Sequence, residues 1–379
     1  MSRRLVLVTP YGYPALAAHG AADAFDYVGG AEIQQARLAR ALVARGHDVW
    51  MVSADFGQPR RTSIDGVKVE AAFKPFAGLP GLRFFHPRWS GLWAALDRVD
   101  ADIVYQRTAG AITGQSALWA RLHGRRFVFA CAHDFDTLPV SPALENARDR
   151  WLYGYGLRHA DRVLAQSALQ RDNLAQHHGV RATIVRNLID VPPAPRDDAA
   201  ADAVVWVGTI KPSKRPEWIL EAAQRLPHVR FVVAGGPPPA PSSDEPFRVF
   251  AKAAAAHGNI EVLGFVPPAG VPAVLARARV FAHTSDAEGF PNTLLEAWAM
   301  GVPSVSVVDP DGAVAGGGGG VLASDPALFV ARVDALWNDA PTRRAMGARA
   351  RAYVEQRHAP AIVAQDFEQA VGLTAGENG

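Results

Sequence analysis

The feature that most constrains this chain is an alternation of short β-rich runs with amphipathic helical runs that stops at a Pro-rich, acidic segment and then starts again. Leu5 to Thr9 reads as a first strand. In the helical run that follows, Leu38, Ala39 and Leu42 share a face opposite Arg37 and Arg40, and Gly46 ends it. Further strands are expected at Val49 to Ser53, Val67 to Ala72, Ile103 to Gln106, Phe127 to Cys131 and Val163 to Gln166. Helical stretches separate most of them, which predicts a largely parallel sheet. Between Asp190 and Asp202 the residues are Asp-Val-Pro-Pro-Ala-Pro-Arg-Asp-Asp-Ala-Ala-Ala-Asp, suited to neither a strand nor a packed helix, so the linker is expected there. The alternation then resumes, with strands expected at Ala203 to Val207, Phe231 to Ala234, Ile260 to Leu263 and Val280 to His283.

At 379 residues the chain exceeds what a single hydrophobic core usually fills. The expected division is a first doubly wound domain over 1–192, a second over 193–358, and a final helix over 359–379 that returns to the first domain. Such sheets bind ligands at the carboxyl ends of their strands, so a site facing a central cleft is expected. A formal charge of +2 without a dense basic run argues against nucleic acid as a partner. The single cysteine, Cys131, lies in an apolar run and reads as a buried small side chain in a reducing, cytoplasmic compartment. The apolar segment near the N-terminus is too short for a signal peptide, and nothing reaches the ~18 apolar residues of a spanning helix.

The densest motif is Ser285-Asp-Ala-Glu288-Gly-Phe-Pro-Asn-Thr-Leu-Leu-Glu296-Ala-Trp-Ala-Met-Gly301-Val-Pro303, directly after a strand. Gly289 frees the backbone and Pro291 suits a first helical turn, having no amide hydrogen to leave unpaired. The amides of Asn292, Thr293 and Leu294 would then open a helix and present unpaired donors and a positive dipole end, an arrangement that suits phosphate. Glu288 before the helix and Glu296 in its second turn flank that position and can accept from ligand hydroxyls. Taken alone, two acids at this spacing are common at helix starts.

The full string resembles the signature of the family 4 retaining glycosyltransferases, which have the GT-B fold of two Rossmann-like domains. The resemblance implies that Glu288 binds hydroxyls of a donor sugar, that the loop Gly289, Phe290, Pro291, Asn292, Thr293 and Leu294 binds its diphosphate, and that Glu296 binds the ribose. The co-substrate it implies is a UDP- or GDP-sugar, with no cofactor. Asp286-Ala-Glu288 lacks surrounding hard ligands, so no metal is expected.

Four further stretches follow strands. In Val207-Gly208-Thr209-Ile-Lys211-Pro-Ser-Lys214-Arg215-Pro216, a glycine at a strand end precedes cations placed at a helix start, which is either a diphosphate clamp or a solvated turn. Family members usually carry Gly-Arg-x4-Lys here. This chain keeps Gly208 and Lys214, has Thr209 in place of the arginine, and offers Lys211 as a substitute cation. Gly29 and Gly30 permit a close backbone approach, though such a pair is more often just a turn; the resemblance places it by the donor phosphate. His133, followed by Asp134 as a group to orient it, is by itself more often a hydrogen-bonding residue than a catalyst, and the resemblance sets it near the donor sugar. Gly264, Phe265 and Val266 resemble the stretch whose backbone meets the nucleotide base. Gly316 to Gly320 fits no phosphate-loop pattern and reads as a flexible loop.

The candidate catalytic residues are therefore His133, Lys214 and Glu288. The expected activity is transfer of a sugar to a hydroxyl on a sugar or lipid-linked acceptor, in polysaccharide or glycolipid assembly. A sugar-nucleotide epimerase and a non-catalytic sugar-nucleotide-binding partner are the alternatives. Residues 73–93 interleave Phe, Leu and Trp with Lys74, Arg83 and Arg88, so peripheral membrane contact at the inner face is weighed against simple burial of the aromatics.

Overall fold

The computed structural model describes residues 3–17, 28–237, 243–286 and 288–373. The chain divides into two compact units, Met1–Leu188 with Pro360–Gly379, and Ile189–Ala359.

In the first unit the strands are β1 (Leu5–Val8), β2 (Val49–Ser53), β3 (Arg61–Ile64), β4 (Val67–Ala71), β5 (Ile103–Arg107), β6 (Arg126–Ala130), β7 (Arg162–Ala165) and β8 (Ala182–Ile184). They form one sheet in the order β3-β4-β2-β1-β5-β6-β7-β8. β3 runs antiparallel to β4, and the other pairs are parallel. A parallel sheet must be covered on both faces, and β1 shows how: Leu5 and Leu7 point toward helix Gly30–Ala44, while Val6 and Val8 point toward helices Ser90–Val99 and Ala111–Leu122. β3 and β8 are absent from the hydrophobic pattern because they are edge strands with half-exposed side chains. Cys131 is buried, and burial pushes its thiol well up.

Helix Pro360–Val371 completes this unit. Val363 and Phe367 are buried on the Leu5 side of the sheet, with the Phe367 ring edge-on to Tyr105 at 5.4 Å between centroids. Its polar anchor is Glu368, which accepts from Arg45 Nε and Nη2 at 2.6 and 2.7 Å and lies 2.7 Å from His47 Nε2. Residues 374–379 of the expected final helix lie outside the described residues.

The second unit contains β9 (Ala203–Val207), β10 (Phe231–Ala234), β11 (Ile260–Gly264), β12 (Ala278–His283), β13 (Ser304–Ser306) and β14 (Gly320–Leu322). They form a parallel sheet in the order β11-β10-β9-β12-β13-β14. Val204 and Trp206 face helices Glu217–Arg225 and Pro326–Asn338; Ala203 and Val205 face Asn292–Ala299 and Ala340–Arg357.

Two expectations change here. The Asp190–Asp202 segment is irregular, as its prolines require, yet it is strapped to the second unit. Arg343 grips Asp198 with two hydrogen bonds of 3.0 and 2.9 Å, and Arg351 donates to the Pro192 carbonyl at 2.6 Å. The glycine run is a packed element and not a flexible loop: Gly320 opens β14, where a Cβ would lie 2.3 Å from Ser304 Oγ, and a Cβ on Gly319 would lie 2.8 Å from the Trp298 ring. Glycine serves there for close approach.

The hydrogen bonds from Arg45 are the main influence holding the Glu368 carboxyl below its usual range, against an opposing push from burial. A depressed folded-state pKa contributes stability above the ordinary glutamate value of about 4.3, and that contribution is lost as pH falls through the folded value. Glu368→Gln is therefore expected to lower the urea midpoint at pH 7, with the gap from the parent chain narrowing steadily below pH 4.

Candidate functional site

In the second unit the chain steps from β9 through β10 to β11 in one direction, then returns to place β12, β13 and β14 on the other side of β9. The direction of winding reverses between β9 and β12. Loops leaving adjacent strands diverge at such a point, so it is where an open α/β sheet leaves room for a ligand.

The loops that leave β9 and β12 are tied together. Trp206 Nε1 donates to Thr284 Oγ1 at 3.0 Å, and that hydroxyl donates to the Lys214 carbonyl at 2.6 Å. The Asp286 amide donates to the Ser213 carbonyl at 3.2 Å, and Arg215 pairs with Asp286 at 3.4 Å. Lys214 Nζ forms an ion pair and hydrogen bond with Glu288 Oε1, the two side chains being 23% and 16% exposed. Two candidates 74 residues apart in sequence are thus in contact. Lys211 and Lys214 do not stand at the start of the next helix, as expected, but on a single 3₁₀ turn, Pro212–Lys214. Arg215 closes that turn in the left-handed conformation, φ 46°, before helix Glu217–Arg225 begins.

After β12, helix Asn292–Ala299 starts with Pro291 as its N-cap. Its ladder begins with the Leu295 amide on the Pro291 carbonyl at 3.3 Å, so the amides of residues 292–294 head the helix with no carbonyl of their own ladder to meet. Asn292, Thr293 and Glu296 are half-buried. Phe290, Pro291 and Leu294 are buried, with the Phe290 ring 5.0 Å from that of His358, so their side chains fix the loop and only their backbone can serve a ligand.

The neighbouring strands add a rim. The amides of Gly208 and Ile210 are taken by the Ala234 and Gly236 carbonyls at 3.1 and 2.9 Å. Among the described residues, the side chains of Thr209 and Lys211 have no hydrogen-bond partner, while the Lys211 carbonyl accepts from the Lys214 amide at 2.9 Å. The turns after β9, β10 and β11 stack so closely that a Cβ on Gly235 would lie 2.3 Å from the Gly208 carbonyl oxygen. Gly264 adopts φ +70°, a left-handed value that glycine tolerates without strain. Phe265, next to it, is 57% exposed, and Val266 packs on the core.

His283, the last residue of β12, is a site residue that the sequence reading passed over. Ser306 Oγ donates to the Val308 carbonyl at 2.8 Å and so accepts from His283 Nδ1 at 3.2 Å. That assignment leaves Nε2 as a buried acceptor without a partner among the described residues. Burial holds this imidazole down to about 4, with the Glu288 carboxylate raising it and the Lys214 ammonium lowering it further, both more weakly than burial, so it is neutral at physiological pH. A polar residue ending an apolar strand just before the Glu288 loop was the available signal.

The first unit holds the remaining candidates. Gly29 caps helix Gly30–Ala44 in an extended conformation open to any residue, φ −100° and ψ −179°. Its amide donates to Glu32 Oε2 at 3.0 Å, and a Cβ on Gly29 would lie 2.9 Å from that oxygen. Burial raises the Glu32 carboxyl. His133 follows β6 and caps a 3₁₀ turn, Asp134–Thr137; its Nδ1 accepts from the Phe135 amide at 3.2 Å, and its ring stacks on Phe135. The carboxylate that positions this turn is Asp136, which accepts from the Ala132 and His133 amides at 2.7 and 3.1 Å; Asp134 accepts from Gln170 Nε2 at 2.9 Å. Among the described residues no group of three or more His, Cys, Asp or Glu side chains could hold a metal ion.

Comparison with known proteins follows the same division. Residues 28–191 match the family described as Glycosyltransferase Family 4, and residues 201–339 match Glycosyl transferases group 1. A D-inositol 3-phosphate glycosyltransferase of Mycobacteroides abscessus is 32% identical over 164 residues, 39% of this chain and 37% of that protein. Its counterpart in Geodermatophilus obscurus is 34% identical over 210 residues, 47% of this chain and 45% of that protein. The matches thus span less than half the length of these curated relatives. Among solved structures, sucrose-phosphate synthase from Thermosynechococcus elongatus superposes with a TM-score of 0.79 at 18% identity, covering 98% of both chains. Anabaena HepE, solved with UDP and glucose, gives 0.77 at 17% identity, covering 98% of this chain and 100% of that one. Two Rossmann-like sheets of the GT-B class and two matching family models lead to one conclusion: this chain belongs to the family 4, group 1 glycosyltransferases.

Proposed function

We propose that this chain is a metal-independent, retaining glycosyltransferase that moves a sugar from a nucleotide diphosphate sugar, UDP- or GDP-linked, to a hydroxyl acceptor. The observation that carries the reading is the Lys214–Glu288 pair at the winding reversal, beside the N-terminus of helix Asn292–Ala299. An ammonium and a row of helix amides suit a diphosphate, and carboxylates suit hydroxyls. When the donor arrives, the ammonium turns to the diphosphate and Glu288 accepts from the sugar hydroxyls. Glu296 takes the ribose, and the turn at Gly264 to Val266 meets the base. UDP is the first nucleotide to test, since HepE was solved with it.

Chemistry then consists of stabilising the leaving group. Negative charge grows on the departing diphosphate as the glycosidic bond breaks, and preorganised donors aimed at it supply the largest single contribution to rate. The diphosphate helps take the acceptor proton, so neither Glu288 nor Glu296 acts as a nucleophile. His133, Gly29 and Gly30 are the first unit's candidates for contact with substrate. Thr209 takes the place of a clamp cation, with Lys211 supplying the charge from the same turn. The product is a polysaccharide or glycolipid intermediate.

Residues 73–93 fit work at the inner membrane surface. Phe73 and Trp93 pack on the core, but Phe76, Leu79, Leu82 and Phe85 are exposed. The segment has no acidic residue and carries Lys74 and Arg83 exposed, which complements anionic lipid; Arg88 is half-buried.

Three outcomes are expected. Glu296→Ala weakens UDP binding in calorimetry by about tenfold or more, as for a lost hydrogen bond to a charged group, whereas Glu288→Ala chiefly abolishes the preference for UDP-sugar over UDP. Equal losses in the two variants would contradict this division of roles. Lys214→Ala lowers kcat in a UDP-release assay by about 10²–10³, the scale of a lost electrostatic stabiliser. Leu82→Ser with Phe85→Ser reduces co-sedimentation with phosphatidylglycerol vesicles, and phosphatidylcholine vesicles bind neither form.

A further inference from the structure

A cavity of about 220 Å³ lies wholly in the first unit, at the carboxyl ends of its strands. Pro10 and Tyr11 follow β1, Ala54 follows β2, and Phe73 follows β4. The start of helix Ala111–Leu122 closes one side, and the first turn of helix Ala147–Arg158 another. Drug-sized ligands occupy roughly 300–1,000 Å³, so this volume suits one sugar-sized ring and not a nucleotide sugar.

Its walls combine two chemistries. Tyr11, Phe73 and Phe84 offer aromatic faces, which pack on the C–H face of a ring. Arg88 and Arg148 are the cations. The Arg148 guanidinium lies 3.5 Å from the Phe84 ring centroid, a stack that holds its plane and leaves its edges to donate. Among the described residues each guanidinium has a single hydrogen bond, from Arg88 Nη2 to the Pro75 carbonyl at 3.1 Å and from Arg148 Nε to Asp149 Oδ1 at 2.8 Å. Asp149 is the acid in the lining, and its other oxygen accepts from Asn146 Nδ2 at 2.9 Å. The lining therefore keeps a net positive charge and several unused N–H donors in fork geometry. Aromatic walls alone would serve a neutral sugar; two guanidiniums with idle donors are matched to a phosphate or carboxylate.

We infer that this cavity is the acceptor subsite and that the acceptor it selects is anionic, a ring bearing a phosphate or a carboxylate held by Arg88 and Arg148. The inference rests on the transferase reading above for the word acceptor, but the ligand class comes from the cavity alone.

The test is calorimetry on the full chain with glucose 6-phosphate, glucuronate and glucose, alongside UDP as an independent ligand of the other unit. At least one anionic sugar is expected to bind at least about tenfold more tightly than glucose, the scale of hydrogen bonds to charged groups. Arg148→Ala is expected to remove that preference while leaving UDP affinity unchanged, and Arg148→Lys, which keeps the charge but not the fork, to restore part of it. UDP reports on the other unit alone, so an unchanged circular-dichroism spectrum and cooperative unfolding transition show that the first unit of the variant is folded. Stronger binding of glucose 6-phosphate names phosphate as the recognised group; stronger binding of glucuronate names carboxylate. Equal affinity for glucose, no binding by either anionic sugar, or an Arg148→Ala variant with undiminished preference would overturn the inference. Failure of UDP to bind the parent chain would instead count against the donor reading and leave the cavity result standing.

Discussion

Parallel strand pairing is the constraint from which the rest of this structure follows. A parallel neighbour can be reached only by a crossover that passes over one face of the sheet, so each added strand brings a helix with it and both faces become covered. The order β11-β10-β9-β12-β13-β14 shows the consequence in the second unit. To cover both faces the chain must reverse its winding once, and at that reversal the loops after β9 and β12 are left side by side. Lys214 and Glu288 meet because the topology brings them there.

The same geometry decides what each residue of the Glu288 motif can do. Phe290, Pro291 and Leu294 are spent on packing, which holds the loop still enough for its amides to point in one direction. Gly235 lets the turns after β9 and β10 close on one another, because any Cβ there would meet the Gly208 carbonyl. His283 sits under the pair as a neutral, buried acceptor, its proton fixed on Nδ1 by Ser306. A neutral imidazole adds no positive charge beside Lys214.

Polar anchoring gives each unit its closure. Glu368 ties the last helix to Arg45 and His47, across more than 320 residues of sequence. Arg343 and Arg351 hold the proline-rich strap by Asp198 and the Pro192 carbonyl. Each of these carboxylates sits against arginine, so its charge is matched where it is partly withdrawn from water.

Local pattern was enough to reveal the two largely parallel sheets and the start of a helix near Pro291, because period-2 and period-3.6 hydrophobicity and N-terminal proline chemistry are properties of neighbouring residues. The edge strands β3, β8 and β14 escaped that pattern because their side chains are partly exposed, and β13, Ser304–Ser306, escaped it because three residues with one apolar side chain show no period. Tertiary structure alone decided that Lys214 touches Glu288, that Asp136 and not Asp134 steadies the His133 turn, that His283 is buried beside the pair, and that Gly319 and Gly320 are packing positions. It also brought Phe84, Arg88 and Arg148 to one cavity. Apart from the Asp136 contacts, which lie within one turn, these depend on which elements a fold places side by side, and that is fixed by strand order, which no local window of sequence contains.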